Sequence, residues 1–342
     1  MRHTRLAALL GALLLAPMLA WAQAAPGPTL AAVRAKGVLD CSTSLGTPGF
    51  SAPDSQGVYR GLDPDSCRAV AAAIFGDGSR VRFTPLAGPQ RLPAVQSGQV
   101  DVGAQTLTWS QSRDTANGLN FPAITFYDGQ SFLVRRSAGL QRAADLAGAT
   151  ICTVSGTTSE LNLADWARTN NLQYQHVVFE RNDEARRAYE SGRCDSYSTD
   201  ASVLAAARSG FPTPGDHVIL PDRISKEPLA LAVRHGDEQW TDIVRWTIYA
   251  LIEAEELGVT QANAEAMLAS PNPAIRRLLG VSGDHGPNMG LDRRWAYNAI
   301  RAVGNYGEMY DRNIGPDTPI GLPRGINALW NRGGLMYAPP IR

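Results

Sequence analysis

The sequence predicts an α/β protein of two lobes, joined by two hinge crossings, with a cleft between them. Three observations carry the prediction. Strand-like and helix-like segments alternate in the first half and again over 149–220, apolar strand-like runs at 129–135 and 228–234 stand where the chain would leave one lobe and return to it, and 342 residues suffice for two lobes of ordinary domain size. The lobes are then 30–132 with 230–342, and 133–229. Such alternation implies right-handed crossovers and mostly parallel sheets, with ligands held beyond the carboxyl ends of the strands.

The amino terminus stands outside this pattern. Arg2 and Arg5 precede an apolar run at 6–19, interrupted by Pro17 and followed by Ala20-Trp-Ala22, a secretory signal peptide over 1–22. The run is too short to cross a bilayer of about 30 Å. Cleavage removes two of the 32 basic residues and leaves all 32 acidic ones, a net charge near −2 that gives nucleic acid no basic surface to meet.

In the exported chain, 29–36 reads as a helix closed by Gly37 and 38–42 as a strand. The loop 43–61 is rich in Gly, Pro and Ser and carries one large apolar residue, Phe50, either a lid over a ligand or a plug on the lobe's core. Residues 62–75 are apolar at helical spacing, with Asp63 as N-cap, Pro64 at the first helical position and Gly76 at the end. A strand at 80–84 and a helix at 90–98 lead to a strand at 100–104. Gln105 to Arg113, just past that strand's end, brings hydroxyls, Trp109 and a guanidinium able to close on a carboxylate. This segment forms one wall of the cleft.

The second lobe repeats the pattern: strands at 149–154, 174–179, 194–198 and 217–220, helices at 160–170, 183–191 and 201–209. Ser155-Gly-Thr-Thr-Ser-Glu160 joins a strand to a helix. Thr157 or Thr158 there is a plain N-cap or part of an anion site at the helix start, with Glu160 as first-turn acid. The segment has no lysine and no phosphate-loop pattern. Asp200 precedes a helix as its N-cap or faces the cleft as counter-charge to an ammonium, and Asp195 is the structural acid of that strand. The helix at 240–257 needs a surface to cover, and the tail beyond 272 packs on the first lobe or meets a membrane partner.

Four cysteines, Cys41, Cys67, Cys152 and Cys194, enter a compartment where disulfides persist. They allow three connectivities. Pairing 41 with 67 and 152 with 194 leaves the lobes free to move. Their spacing fits no zinc or C-x-x-C redox site, and neither a metal nor a cofactor is expected.

With these residues in place, the sequence resembles the periplasmic solute-binding proteins of ABC-type polar and general L-amino acid uptake systems, solute-binding protein family 3. The resemblance runs from about residue 30 to the end. It rests on Gly61-Leu-Asp, Thr108-Trp-Ser-Gln-Ser-Arg-Asp114, Tyr127-Asp-Gly-Gln130, Gly156-Thr-Thr-Ser-Glu-Leu-Asn-Leu163, Gly192-Arg-Cys-Asp195, Ser225-Lys-Glu-Pro-Leu229 and the tail from Val303-Gly-Asn-Tyr-Gly307 to Arg342. It implies a type II periplasmic-binding-protein-like fold and a monomer that hands an L-amino acid to a membrane ABC permease complex.

By that resemblance Arg113 clamps the ligand carboxylate with the amides of Thr108 and of Thr157 or Thr158. Asp200 takes the ammonium, helped near Thr106, and Phe50 faces the ligand side chain. The sequence departs from the branch at Gln105-Thr-Leu107, where Arg-Asn-Thr is expected, and at Leu229-Ala-Leu231 for Leu-Gly-Pro. Side-chain preference is therefore placed at Gln105 and Leu107. The alternatives are a dehydratase-like enzyme on the same scaffold, for which Glu160 is the one extra acid near the cleft, and a soluble sensing module for a receptor. His176, His217, His235 and His285 are scattered and suggest no catalytic arrangement.

Overall fold

The computed structural model describes residues 27–342, so the leader 1–22 lies outside the described residues. No helix among the described residues is long and apolar enough to cross a membrane.

In the first lobe, strands Leu39–Thr43 and Val81–Pro85 run parallel, and a parallel bridge from Cys41 to Val102 continues the sheet toward strand Gly103–Thr108. That strand pairs antiparallel with Glu227–Arg234, which in turn pairs antiparallel with Ile124–Asp128 and Leu119–Asn120. The second lobe is one five-stranded sheet in the order Gln175–Phe179, Thr150–Val154, Ser196–Asp200, Gln130–Arg135, His217–Ile219. Its first three strands are parallel and the last two antiparallel neighbours. The sheets are thus mixed rather than mostly parallel. A strand that carries the chain between lobes has no crossover helix to reverse it and enters its new sheet in the opposite direction.

The pairing puts Gln130 to Phe132 with second-lobe strands and Glu227 to Leu229 with first-lobe strands, three residues ahead of the 132/133 and 229/230 boundaries read from the sequence. Both crossings therefore lie at one edge of the cleft, beside the cross-strand pair Glu227 and Asp128.

The core of the first lobe gathers around helix Leu62–Phe75, twelve of whose residues are buried. It packs against helices Glu238–Glu256 and Trp295–Val303. The tail belongs to this core: Trp295, Ile300, Tyr306 and Tyr310 are buried in it beside Leu62 and Trp240, and the Tyr306 hydroxyl donates to the Thr125 carbonyl at 2.8 Å. Each such side chain contributes about 1.5–3 kcal/mol by leaving water. Disulfides Cys41–Cys67 and Cys152–Cys194 each close within one lobe, so neither tethers the lobes together.

Phe50 is a plug. It is 1 % exposed, sits edge-on to Phe126 at 5.4 Å between centroids, and lies in the first-lobe core. An aromatic side chain in a polar loop buries itself in the nearest apolar surface, which here is its own lobe. Phe50→Leu should lower stability by about 1 kcal/mol, the scale of a lost aromatic pair. Thermal unfolding measures this, and affinity should stay within about twofold, since small volume changes in a core relax locally.

Candidate functional site

Strand Gly103–Thr108 runs straight through the segment expected to begin a loop. Its regularity breaks at Thr106, where φ is 49°. A β-branched residue in the left-handed region is strained by a few kcal/mol at most and persists only when its surroundings hold it. Here Asp63 does so, accepting the Thr106 amide at 3.0 Å, while the Thr106 hydroxyl donates to the Gln105 carbonyl at 2.7 Å. Asp63 is therefore not the N-cap. Gly61 occupies that position at φ 130°, and a Cβ there would lie 2.3 Å from the Phe50 carbonyl oxygen. Burial pushes the Asp63 carboxyl up to about 7, against the Thr106 amide and the Arg91 charge.

The side chains on either side of Thr106 are both buried. Leu107 is fully buried in an apolar cluster with Val95, Phe121 and Ala230, so it does not read a ligand. Gln105 borders the cleft, but its amide nitrogen is committed to the carbonyls of Thr43 and of Leu86, the latter at 3.1 Å. Its Oε1 is buried without a partner. Thr108 directs its hydroxyl at Glu227 Oε2, 2.5 Å away.

Past Thr108, the short helix Gln111–Thr115 turns Arg113 back over the strand end, where Nη1 donates to the Thr108 carbonyl at 3.0 Å. Arg113 is 7 % exposed. Burial holds its guanidinium below the usual value, while Glu227 and Asp200 pull it up. A second guanidinium, Arg91, borders the same cleft and was not singled out in the sequence. It donates to the carbonyls of Gly88 and Gln105, and burial with the adjacent Arg113 lowers it to about 10. Among the described residues neither arginine has a carboxylate oxygen within 4.0 Å. A cation taken from water without a counter-ion is costly, so the buried Arg113 and the half-buried Arg91, facing one cavity, make an anion-seeking site.

The opposite wall starts at helix Thr158–Thr169. Thr157 is its N-cap, its hydroxyl accepting from the Glu160 amide and donating to the Val154 carbonyl at 2.6 Å. The amides of Thr158 and Ser159 belong to the first turn, where intrahelical geometry provides no acceptor, and both residues border the cleft. The Glu160 carboxylate is occupied by the Gly156 amide at 3.0 Å.

Asp200 stands at the start of helix Ala201–Ser209 but makes no side-chain cap. It is 6 % exposed, borders the cleft, and its Oδ1 has no hydrogen-bond partner. Burial, reinforced by Asp128 and Glu227, pushes its carboxyl well above the carboxylate range, with Arg91 and Arg113 opposing.

The cleft thus brings together Thr106, Thr108, Arg113 and Gln105 from the first lobe with Thr157, Thr158 and Asp200 from the second, and leaves Phe50 out. Glu227 closes its hinge end. This carboxylate, 1 % exposed, accepts from the hydroxyls of Thr108, Thr158 at 2.9 Å and Ser225 at 2.6 Å, and from the Asn162 amide at 2.6 Å. Donors from both lobes therefore meet on one acid. The sequence signal was an acid in Ser225-Lys-Glu-Pro, next to a predicted crossing.

Two α/β lobes, two crossings, and an interlobe cavity offering unpaired guanidiniums against an unpartnered carboxylate define a solute-binding protein. The chain belongs to the bacterial extracellular solute-binding proteins, family 3, whose model matches residues 39–263. It is 52 % identical to the general L-amino acid-binding periplasmic protein AapJ of Rhizobium johnstonii over 100 % of both chains. It is also 52 % identical to the glutamate/glutamine/aspartate/asparagine-binding protein BztA of Rhodobacter capsulatus, across 94 % of this chain and 95 % of that one. Among solved structures, an ABC transporter periplasmic binding protein from Brucella ovis with glutathione bound superposes with a TM-score of 0.90 at 52 % identity, covering 92 % of this chain and 99 % of that one.

Proposed function

We propose that the protein captures L-amino acids in its interlobe cleft outside the cytoplasm and delivers them to an ABC permease, without chemical turnover. The observation that carries this reading is the placement of Arg113 and Asp200 on opposite walls of one buried cavity. An α-amino acid presents a carboxylate and an ammonium at fixed spacing. A guanidinium on one lobe and a carboxylate on the other read both, and both pairs form only when the lobes meet.

In this reading Arg113 holds the carboxylate, with the amides of Thr108 and of the Thr157–Thr158 helix start as further donors. Asp200 receives the ammonium on its free Oδ1, and Thr106 contributes nearby polar groups. The names of AapJ and BztA support the ligand class and the periplasmic setting. Glutathione in the Brucella ovis protein supports recognition of the head group, since its γ-glutamyl end is itself an α-amino acid.

Arg91 takes over the selectivity expected of Gln105 and Leu107. One arginine suffices for the α-carboxylate, and the second asks for another acceptor, which an acidic or amide side chain supplies. Calorimetric titration of the mature protein, freed of copurified ligand, with the twenty amino acids should show glutamate, aspartate, glutamine or asparagine among the tightest binders. Arg91→Gln should weaken the acidic ones about tenfold, on the order of 1.4 kcal/mol for one charge-assisted contact, and alanine or leucine little. Silence across the panel would sink the reading.

A further inference from the structure

The cleft does not end at its charged chamber. The chamber adjoins a second cavity of about 390 Å³. The two share Leu45, Gly46, Asn182, Asp183 and Val203, so they are neighbours along the interlobe face. Asn182 stands at the passage. Its amide nitrogen reaches the Thr47 hydroxyl at 3.4 Å across the lobes, and its Oδ1 accepts from the Tyr197 hydroxyl at 3.0 Å.

The outer cavity has a different chemistry from the inner one. Pro48, Ala52 and Pro53 of the first lobe and Tyr197, Ala206 and Ala207 of the second give a largely apolar surround with one cation, Arg186, and one acid, Asp183, whose carboxylate is already paired with Arg181 and Arg187 at 2.9 Å each. Arg186 keeps its side chain 31 % exposed and reaches its nearest acid, Glu190, only at 3.8 Å. Its guanidinium therefore retains donors for another anion.

We propose that this outer cavity is a second subsite, for an apolar residue joined through an amide to the ligand's side-chain carboxyl and ending in a free carboxylate. The ligand class is the γ-glutamyl dipeptides. The proposal rests on the amino acid reading, which fills the inner chamber with the head group. The dipeptide's α-amino acid end occupies the chamber, its side-chain amide oxygen meets Arg91, its second residue passes Asn182 into the apolar surround, and its terminal carboxylate meets Arg186.

The test compares L-glutamate with γ-L-glutamyl-L-leucine by calorimetry on the mature protein and two variants. The wild type should bind both. Ala52→Trp, which fills the outer cavity from a residue outside the inner chamber, should weaken the dipeptide at least about thirtyfold, as overpacking does. Arg186→Gln should weaken it about threefold, the scale of a partly exposed ion pair. L-glutamate should change by less than about twofold in either, since neither residue borders the chamber. Glutamate binding without dipeptide binding, or dipeptide affinity indifferent to Ala52→Trp, overturns the subsite and leaves the amino acid reading standing. Equal losses for both ligands also overturn it. If the wild type binds neither, the subsite falls, and the twenty-amino-acid panel separately decides the underlying reading.

Discussion

Arg113→Ala should weaken amino acid binding by about 2–5 kcal/mol, on the order of 30- to 5,000-fold in Kd. The substitution removes the forked donor from a nearly dry position, so a bound carboxylate would lose its counter-charge and keep its desolvation cost. The same burial separates loss of binding from loss of folding. In the ligand-free protein Arg113 is a cation held by one carbonyl contact, to Thr108, with Glu227 and Asp200 acting only at longer range. Deleting a poorly compensated buried charge costs the empty fold little or relieves it. The variant should therefore unfold at or above the wild-type temperature without ligand and gain almost no stability when ligand is added. Arg113→Lys should fall between, because it keeps the charge and loses the fork. A Kd change below about threefold for Arg113→Ala would remove it from the carboxylate site.

Much of this architecture is legible in the sequence, because it depends on local chemistry. Alternating periodicities announce two α/β lobes, and the hydroxyl-rich segment ending in Arg113 and the turn at Gly156 lie where the strands and helices deliver them to the cleft. What differs is where one face of a strand lies. Alternation sends Gln105 and Leu107 to a common face, and nothing in Gln-Thr-Leu-Thr reveals that both side chains are buried there, Leu107 in the lobe interior and Gln105 at the cleft edge with its amide held by backbone carbonyls. Asp63 was read as a cap for a related reason. A carboxylate near a helix start can serve its own helix or a strand 43 residues away, and only tertiary structure shows that it holds the Thr106 amide. Arg91 and Glu227 were overlooked because a charged residue in a short helix or before a proline normally points to water. The burial of Glu227 and the partial burial of Arg91 arise where two lobes meet, which no single segment encodes.

Asp200 should make binding pH-dependent, and the sign follows from its surroundings. In the free protein burial, with Asp128 and Glu227 nearby, raises its carboxyl well above the ordinary range, which favours its protonated form. A ligand ammonium on Oδ1 favours the ionised form and draws the carboxyl back down. Binding then releases a proton, and affinity falls as pH drops below the raised value of the free protein. Calorimetry in buffers of different ionisation enthalpy should show proton release on binding and a Kd that tightens as pH rises. Asp128, pushed up to about 6 by burial, and Asp63, pushed up to about 7, are raised as well, so the assignment needs a variant. Asp200→Asn makes the assignment. It keeps the shape, loses the charge opposite the ammonium, and should cost about 2–5 kcal/mol in affinity while abolishing most of the proton release. If the variant binds weakly but still releases the proton, Asp128 or Asp63 is the titrating group. If it binds as tightly as the wild type, the ammonium is held elsewhere, and the free Oδ1 of Asp200 needs another partner.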